Sequence, residues 1–250
     1  MHKVNILGVE VDAVEKEGLH EAVVESIRNS HKDVYAYVNV HALNIAQRNE
    51  VFREFLNAAS ITYCDGEGVR LGARFLGETL PSRIVLTYWV WDLCRLCERE
   101  GYSLFLLGGE AESVEAAARR ISHMYPTLRI SGYHHGFFDK WGPDNARILR
   151  LIHDANPDVL IVGFGMPLQE EWINRNFDTL RAHVILPAGS MIEYVAGKKK
   201  PAPTWMANHG MEWVYRLMQE PRRLWRRYLV GNPLFMYRVL MQRLQQRSLG

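Results

Sequence analysis

Short apolar runs alternate with helical patterns through the first 200 residues, and most of these runs end at Gly, Asp or Asn. Residues 103–107 end at Gly108-Gly109 before an Ala-rich helical stretch, and residues 159–162 end at Gly163-Phe-Gly165. A strand, a glycine-bearing turn and a helix, repeated along a chain, are typical of an α/β fold. The sequence therefore predicts a mostly parallel sheet flanked by helices, a Rossmann-like architecture.

The predicted binding site lies beyond the carboxyl ends of these strands, where open α/β sheets bind ligands. Asn39, Asp65, Gly108, Gly163 and Gly189 all follow predicted strands. The glycines do not complete the G-x-G-x-x-G pattern of a dinucleotide site, because the stretch from Gly163 to Leu168 lacks the third glycine. A nicotinamide-dependent oxidoreductase is thus an alternative with little support.

Asp65 is the candidate catalytic residue. Asp-Gly is also a common turn dipeptide, so Asp65-Gly66 alone is consistent with a plain turn. A carboxylate at a strand's carboxyl end can instead act as a general base. A metal pair with Glu67 is a third interpretation, which one pair of acidic residues supports weakly.

Two further groups are candidates for substrate binding. The glycines Gly108, Gly109, Gly163 and Gly165 lie between strands and helices, where backbone amides favour a diphosphate, although tight turns would need glycine too. Gln169 opens the helix after Pro167, and its neutral amide can orient a sugar or a phosphate.

The strand pattern stops near residue 200, which divides the sequence into an α/β core, residues 1–200, and a helical appendage, residues 201–250. From Lys198 to the end there are 11 Lys and Arg against 2 Asp and Glu, a net charge of +9. The preceding 197 residues hold 19 basic and 26 acidic side chains, a net charge of −7. This asymmetry indicates an anionic partner, which could be a phosphate, a membrane surface or a nucleic acid.

Arginines recur in the appendage at helical spacing, at Arg216, Arg223 and Arg226 or Arg227. Trp213, Leu217, Leu224 and Tyr228 form an adjoining apolar stripe, which could pack on the core and leave the basic face in solvent. Alternatively, the segment forms an interfacial membrane helix or an arginine clamp on a diphosphate.

Cysteine content and hydropathy indicate the cellular compartment of the protein. Three cysteines form no disulfide framework, and no apolar run reaches the ~18 residues that span a bilayer. We therefore expect a cytoplasmic protein that touches a membrane from one side at most.

Several motifs together resemble the WecG/TagA/CpsF family of bacterial glycosyltransferases. The similarity extends from about Val4 to Leu229. The motifs that carry it are Asp65-Gly-Glu-Gly-Val69, Leu107-Gly-Gly109, Gly132-Tyr-His-His-Gly136, the stretch from Val162 to Glu171, Gly210-Met-Glu-Trp-Val-Tyr-Arg216 and Glu220-Pro-Arg-Arg-Leu224.

The resemblance implies inverting transfer of an N-acetylmannosaminyl or related sugar from a UDP-sugar. The implied acceptor is a polyprenyl-diphosphate-linked N-acetylglucosamine of cell-envelope polysaccharide or teichoic acid synthesis. It also implies that Asp65 is the catalytic base and that Gln169 contacts substrate. Arg216, Arg223 and Arg226 would complete the site at the inner face of the cell membrane.

The chain departs from the family pattern at three places, each of which bears on the identity of the sugar or acceptor. Tyr37-Val-Asn39 stands where Thr-x-Asn is frequent, and the usual Gly-x-Asp after the basic residue near Arg83 is absent. Lys-Lys-Pro201-Ala-Pro replaces the common Arg-Ala-Pro.

Further expectations concern cofactors and partners. The sequence has no clear D-x-D pair, so we expect no metal site, no cofactor and no obligatory metal. The arginines would supply the positive charge that a metal ion would otherwise provide. We expect no nucleic-acid partner, although a non-catalytic membrane- or nucleic-acid-binding adaptor is a second alternative. Whether the protein forms a homo-oligomer is left undecided, since an apolar patch could contact either a neighbouring copy or a bilayer.

Overall fold

The computed structural model describes the backbone of residues 2–249 and the side chains of residues 2–207 and 209–248. Within this part of the chain, the strands are β1 Lys3–Ile6, β2 Val9–Asp12, β3 Asp33–Val38, β4 Ile61–Cys64, β5 Ser103–Gly108, β6 Arg129–His134, β7 Val159–Gly163 and β8 Val184–Pro187. The helices of the first 200 residues are α1 Lys16–Arg28, α2 Val40–Ala46, α3 Glu50–Ala58, α4 Glu67–Leu76, α5 Leu86–Glu100, α6 Ala111–Met124, α7 Pro143–Ala155, α8 Leu168–Asn176 and α9 Met191–Val195. Four α-helices follow, interrupted by a π-helical turn, Arg226–Val230; they are α10 Thr204–Asn208, α11 Glu212–Gln219, α12 Pro221–Trp225 and α13 Gly231–Leu249.

The predicted α/β class is confirmed. Strands pair in parallel except for the β1–β2 hairpin, and helices flank them. Between β3 and β4 the chain forms two helices, α2 and α3. The side chain of Asn49 starts α3 by accepting the Phe52 N–H at 3.0 Å, an N-cap.

The chain forms two compact units. The first comprises the described residues of Met1–Glu15, Tyr37–Val85 and Pro201–Gly250, and the second comprises Lys16–Ala36 and Leu86–Lys200. The predicted division into a core, residues 1–200, and an appendage, residues 201–250, stays a prediction. The appendage, however, packs together with the first 15 residues and with residues 37–85.

In the first unit, α13 packs against α2 and α4. Phe235 and Val239 of α13 are buried, and the Phe235 ring lies where a Cβ on Gly72 would be, with its Cζ only 2.6 Å away. The absence of a side chain at Gly72 thus allows α4 and α13 to approach closely.

Polar side chains also fasten α13 to this unit. Gln242 accepts the Leu7 N–H at 2.9 Å and donates to the Asn5 carbonyl at 3.0 Å, which ties α13 to the β1–β2 hairpin. Asn44 of α2 donates to the Gly231 carbonyl at 2.8 Å and accepts from Arg238 at 2.6 Å. The C-terminal helix is therefore held by both apolar packing and hydrogen bonds, three of which are half-buried.

The second unit contains a parallel sheet in the order β8-β7-β5-β6, with the first residues of β3 paired to β8. Every residue of β5, β7 and β8 is buried, as expected for parallel strands covered on both faces. This buried sheet places the turns after β5, β7 and β8 at one common edge.

Candidate active site

The first unit contains a cavity of about 350 Å³ at the ends of β3 and β4. Its walls come from α2, α4, the segment at residues 83–85 and the helices after residue 208. The polar and charged residues that line it are Asn39, His41, Asp65, Glu67, Arg83, His209, Glu212, Arg216, Arg227 and Asn232.

Asp65 and Asn39 meet at this cavity. The Asp65 N–H donates to the Val38 carbonyl at 2.8 Å, which fixes the residue directly after β4. Asn39 caps α2: its Oδ1 accepts the N–H groups of His41 and Ala42 at 3.0 and 3.1 Å. Because the cap uses Oδ1, the Asn39 Nδ2 faces Asp65 and lies 3.5 Å from its Oδ2. The half-buried carboxylate is thus oriented by an amide donor and remains part of the cavity wall.

Two glycines bring α4 up to Asn39. A Cβ on Gly66 would lie 3.5 Å from the Asn39 Cβ, and one on Gly68 only 2.6 Å from the Val40 Cγ2. The motif Asp65-Gly-Glu-Gly therefore has a steric basis, since a side chain at Gly68 would push α4 away from α2.

The structure separates the predicted arginines. Arg216 lines the cavity, but Arg223 pairs with Glu220 and Arg226 lies over the Trp225 ring, 5.2 Å from its centroid. Arg227 lines the cavity instead of Arg226. Substrate contacts by Arg223 and Arg226 stay predictions.

The arginines act on His41, which lines the same cavity. Burial, with Arg227 and Arg223 nearby, lowers the pKa of His41 from 6.5 to about 4. His41 is therefore neutral at pH 7, and the positive charge at this wall comes from guanidinium groups.

Arg83 and Glu212 also line the cavity, and neither was among the predicted site residues. Arg83 Nη1 donates to Glu212 Oε2 at 2.8 Å, and Arg216 Nη2 lies 3.5 Å from Glu212 Oε1. A pair so distant in sequence leaves no local pattern. The sequence did offer one indication: Glu212 precedes Arg216 by four residues, a spacing that favours an ion pair on a helix.

The glycine turns of the second unit are packed tightly. A Cβ on Gly108 would lie 2.3 Å from the Gly163 carbonyl oxygen, and that oxygen accepts the Gly109 N–H at 3.2 Å. The Gly165 N–H donates to Gln169 Oε1 at 3.1 Å. Close approach thus accounts for Gly108, while phosphate binding by these four glycines stays a prediction.

Gln169 is fully buried and joins two turns. Its Oε1 also accepts the Gly189 N–H at 2.8 Å, and its Nε2 donates to Glu170 Oε1 at 2.7 Å. Burial raises the pKa of Glu170 from 4.5 to about 7. Gln169 therefore holds the turns after β7 and β8 together, and its predicted contact with substrate stays a prediction.

Among the described side chains, no three His, Cys, Asp or Glu residues are grouped so that they could hold a metal ion. No helix among residues 2–249 is long and apolar enough to cross a bilayer.

An α/β fold with a carboxylate and arginines at one cavity suits transfer of a group from or to an anionic substrate. A model of the glycosyl transferase WecG/TagA/CpsF family matches residues 4–249, so the chain belongs to this family of glycosyltransferases and the predicted resemblance is confirmed. Similar proteins of Staphylococcus aureus strains MW2 and NCTC 8325 are named N-acetylglucosaminyldiphosphoundecaprenol N-acetyl-beta-D-mannosaminyltransferase. Each is 30% identical over 239 residues, which cover 95% of this chain and 92% of the relative.

Proposed function

We propose that this glycosyltransferase moves an N-acetylmannosaminyl or related sugar from a UDP-sugar to a polyprenyl-diphosphate-linked N-acetylglucosamine. The names of the Staphylococcus aureus relatives support the acceptor and the sugar, and the similarity covers nearly the full length of both chains. The product would enter cell-envelope polysaccharide or teichoic acid synthesis.

The observation that carries the proposal is the position of Asp65, held by Asn39 at a cavity that Arg216 and Arg227 also line. Asp65 accepts the proton of the acceptor hydroxyl while that oxygen forms a bond to the anomeric carbon. The bond from this carbon to the UDP oxygen breaks, and UDP leaves with the electron pair from the opposite face. One displacement of this kind inverts the anomeric centre.

The cationic wall supports binding of a diphosphate. Arg216 and Arg227 present guanidinium groups, which match phosphate oxygens in geometry and charge. We propose that they contact the diphosphate of the lipid-linked acceptor at this cavity.

The role of Asp65 is tested by Asp65→Asn, which keeps the size of the side chain but removes the base. We expect the rate of transfer from a UDP-sugar to a short-chain lipid-diphosphate acceptor to fall by ~10²–10⁴-fold, as loss of a general base does. Mass spectrometry of the product, with a panel of UDP-sugars, provides the measurement.

Glu67→Gln is the matched control, because Glu67 lines the same cavity and pairs with Arg70 at 2.9 Å. Its rate should stay within a few-fold of wild type. Full activity in Asp65→Asn would remove Asp65 from the mechanism. The same assay with EDTA tests our proposal that no metal is obligatory, since activity lost in EDTA and restored by manganese would contradict it.

We also propose that the protein works at the inner face of the cell membrane as a peripheral protein. Exposed apolar side chains of the appendage support this, among them Met218, Trp225 and Leu229, which lie near Arg222 in the sequence. A surface that combines apolar and basic side chains is suited to a lipid interface.

A further inference from the structure

We propose that Glu212 is a positioning residue that links Arg216 to the segment beside Asp65. It thereby sets the affinity for the diphosphate of the lipid-linked acceptor. This inference rests on the proposed function and adds a residue that touches neither the sugar nor the reacting atoms.

The link begins at the backbone next to Asp65. The Ile84 N–H donates to the Cys64 carbonyl at 2.8 Å, so the residue after Arg83 is fixed to the end of β4. Cys64 directly precedes Asp65. The base of the Arg83 side chain is therefore fixed relative to the proposed catalytic carboxylate.

The Arg83 guanidinium then reaches the appendage at two points. Its Nη2 donates to the Ala207 carbonyl, and its Nη1 donates to the Glu212 carboxylate at 2.8 Å. The two side chains are only 18% and 11% exposed, so water screens this pair less than the surface pairs of the chain. Arg83 and Glu212 thus join the start of α11 to the end of β4.

The second oxygen of Glu212 faces Arg216, four residues later on α11. This contact is longer, 3.5 Å against 2.8 Å for the Arg83 pair. The difference implies separate roles for the two arginines. Arg83 is held firmly, and the second oxygen of the same carboxylate orients Arg216, which lines the cavity.

Gly210 shows how closely this part of the appendage approaches α4. Its φ is +71°, and a Cβ there would lie 3.0 Å from the Glu67 Cγ. The turn before α11 is therefore packed against the first residue of α4, and α11 has little freedom to find another position if the link to Arg83 is kept.

Glu212→Gln tests the link. The two carboxylate oxygens of Glu212 contact Arg83 and Arg216, whereas a glutamine has only one acceptor oxygen. We expect the KM for the lipid-diphosphate acceptor to rise about tenfold, while the KM for the UDP-sugar stays within twofold. Glu212→Asp keeps the charge and should recover part of the lost acceptor affinity. Circular dichroism and thermal unfolding check that each variant folds.

Glu50→Gln is the matched control, since Glu50 pairs with Arg53 at 2.9 Å in the same unit but does not line the cavity. It should leave both KM values unchanged. Equal rises of both KM values in Glu212→Gln, or no recovery in a folded Glu212→Asp, would overturn the inference.

Binding of inorganic pyrophosphate to the full chain, measured by calorimetry, separates this inference from the proposed function, because it needs no transfer. Weaker pyrophosphate binding in Glu212→Gln supports the link even if no UDP-sugar is a donor. Tighter or unchanged binding would overturn it; tighter binding would identify Glu212 as a competing anion.

Discussion

Glu170 is a buried carboxyl group with one oxygen bound and one without a partner among the described residues. Its Oε1 accepts from Gln169 at 2.7 Å, while its Oε2 has no hydrogen-bond donor there. The neutral acid suits such a site better than the carboxylate, because an ion loses its hydration on burial. Burial accordingly raises the pKa of Glu170 to about 7.

This raised pKa predicts that the protein loses stability as the pH rises. Between pH 4.5 and about 7, the unfolded chain has released the Glu170 proton and the folded chain still holds it. The free energy of unfolding should fall across this window by ~3 kcal/mol, at 1.36 kcal/mol per pKa unit. Glu170→Gln cannot ionise and should lack this part of the pH dependence. Urea unfolding at pH 5 and pH 8 measures both proteins, and parallel pH dependences would contradict the prediction.

The packing of α4 on α13 predicts the effect of one added methyl group. In Gly72→Ala, the new Cβ would lie 2.6 Å from the Phe235 ring. Overpacking costs ~1–3 kcal/mol, and the better helix propensity of Ala returns ~1 kcal/mol. We expect a net loss of roughly 1 kcal/mol. Adding Phe235→Leu should recover part of it, since the smaller side chain leaves room. Chemical unfolding of the three proteins gives the comparison, and an unchanged or more stable Gly72→Ala would contradict the contact.

Elements and strand-end residues could be predicted from the sequence because their signals are local. Apolar runs and glycine turns placed the strands, and Asp65 and Asn39 meet because each follows a parallel strand. The arginine spacing was harder. The spacing was counted with α-helical geometry, whereas the chain forms a π-helical turn over Arg226–Val230. Local spacing left Arg226 and Arg227 as alternatives, and only the structure shows that Arg227 lines the cavity.

The structure assigns the basic appendage two roles in the first unit. Its buried side chains, such as Leu224, Tyr228, Phe235 and Val239, contribute to the core, so deleting it would uncover the faces of α2 and α4. Four of its eight arginines, Arg222, Arg223, Arg226 and Arg247, are exposed instead and leave positive charge on its surface. Surface substitutions in the full chain are therefore the appropriate test of membrane binding.

The charge asymmetry predicts salt-sensitive binding to anionic vesicles. Arg222 is exposed and does not line the cavity, and each basic residue near an anionic surface contributes ~1 kcal/mol. Arg222→Ser should thus weaken binding to phosphatidylglycerol vesicles by about fivefold. Trp225→Ser, which removes an exposed apolar contact, should weaken binding at high salt as well as at low salt.

Arg119→Ser is the matched control, an exposed arginine on α6 whose loss should change little. Vesicle sedimentation at two salt concentrations measures all four proteins. An equal effect of Arg222→Ser and Arg119→Ser would show that net charge, and not the appendage surface, governs binding.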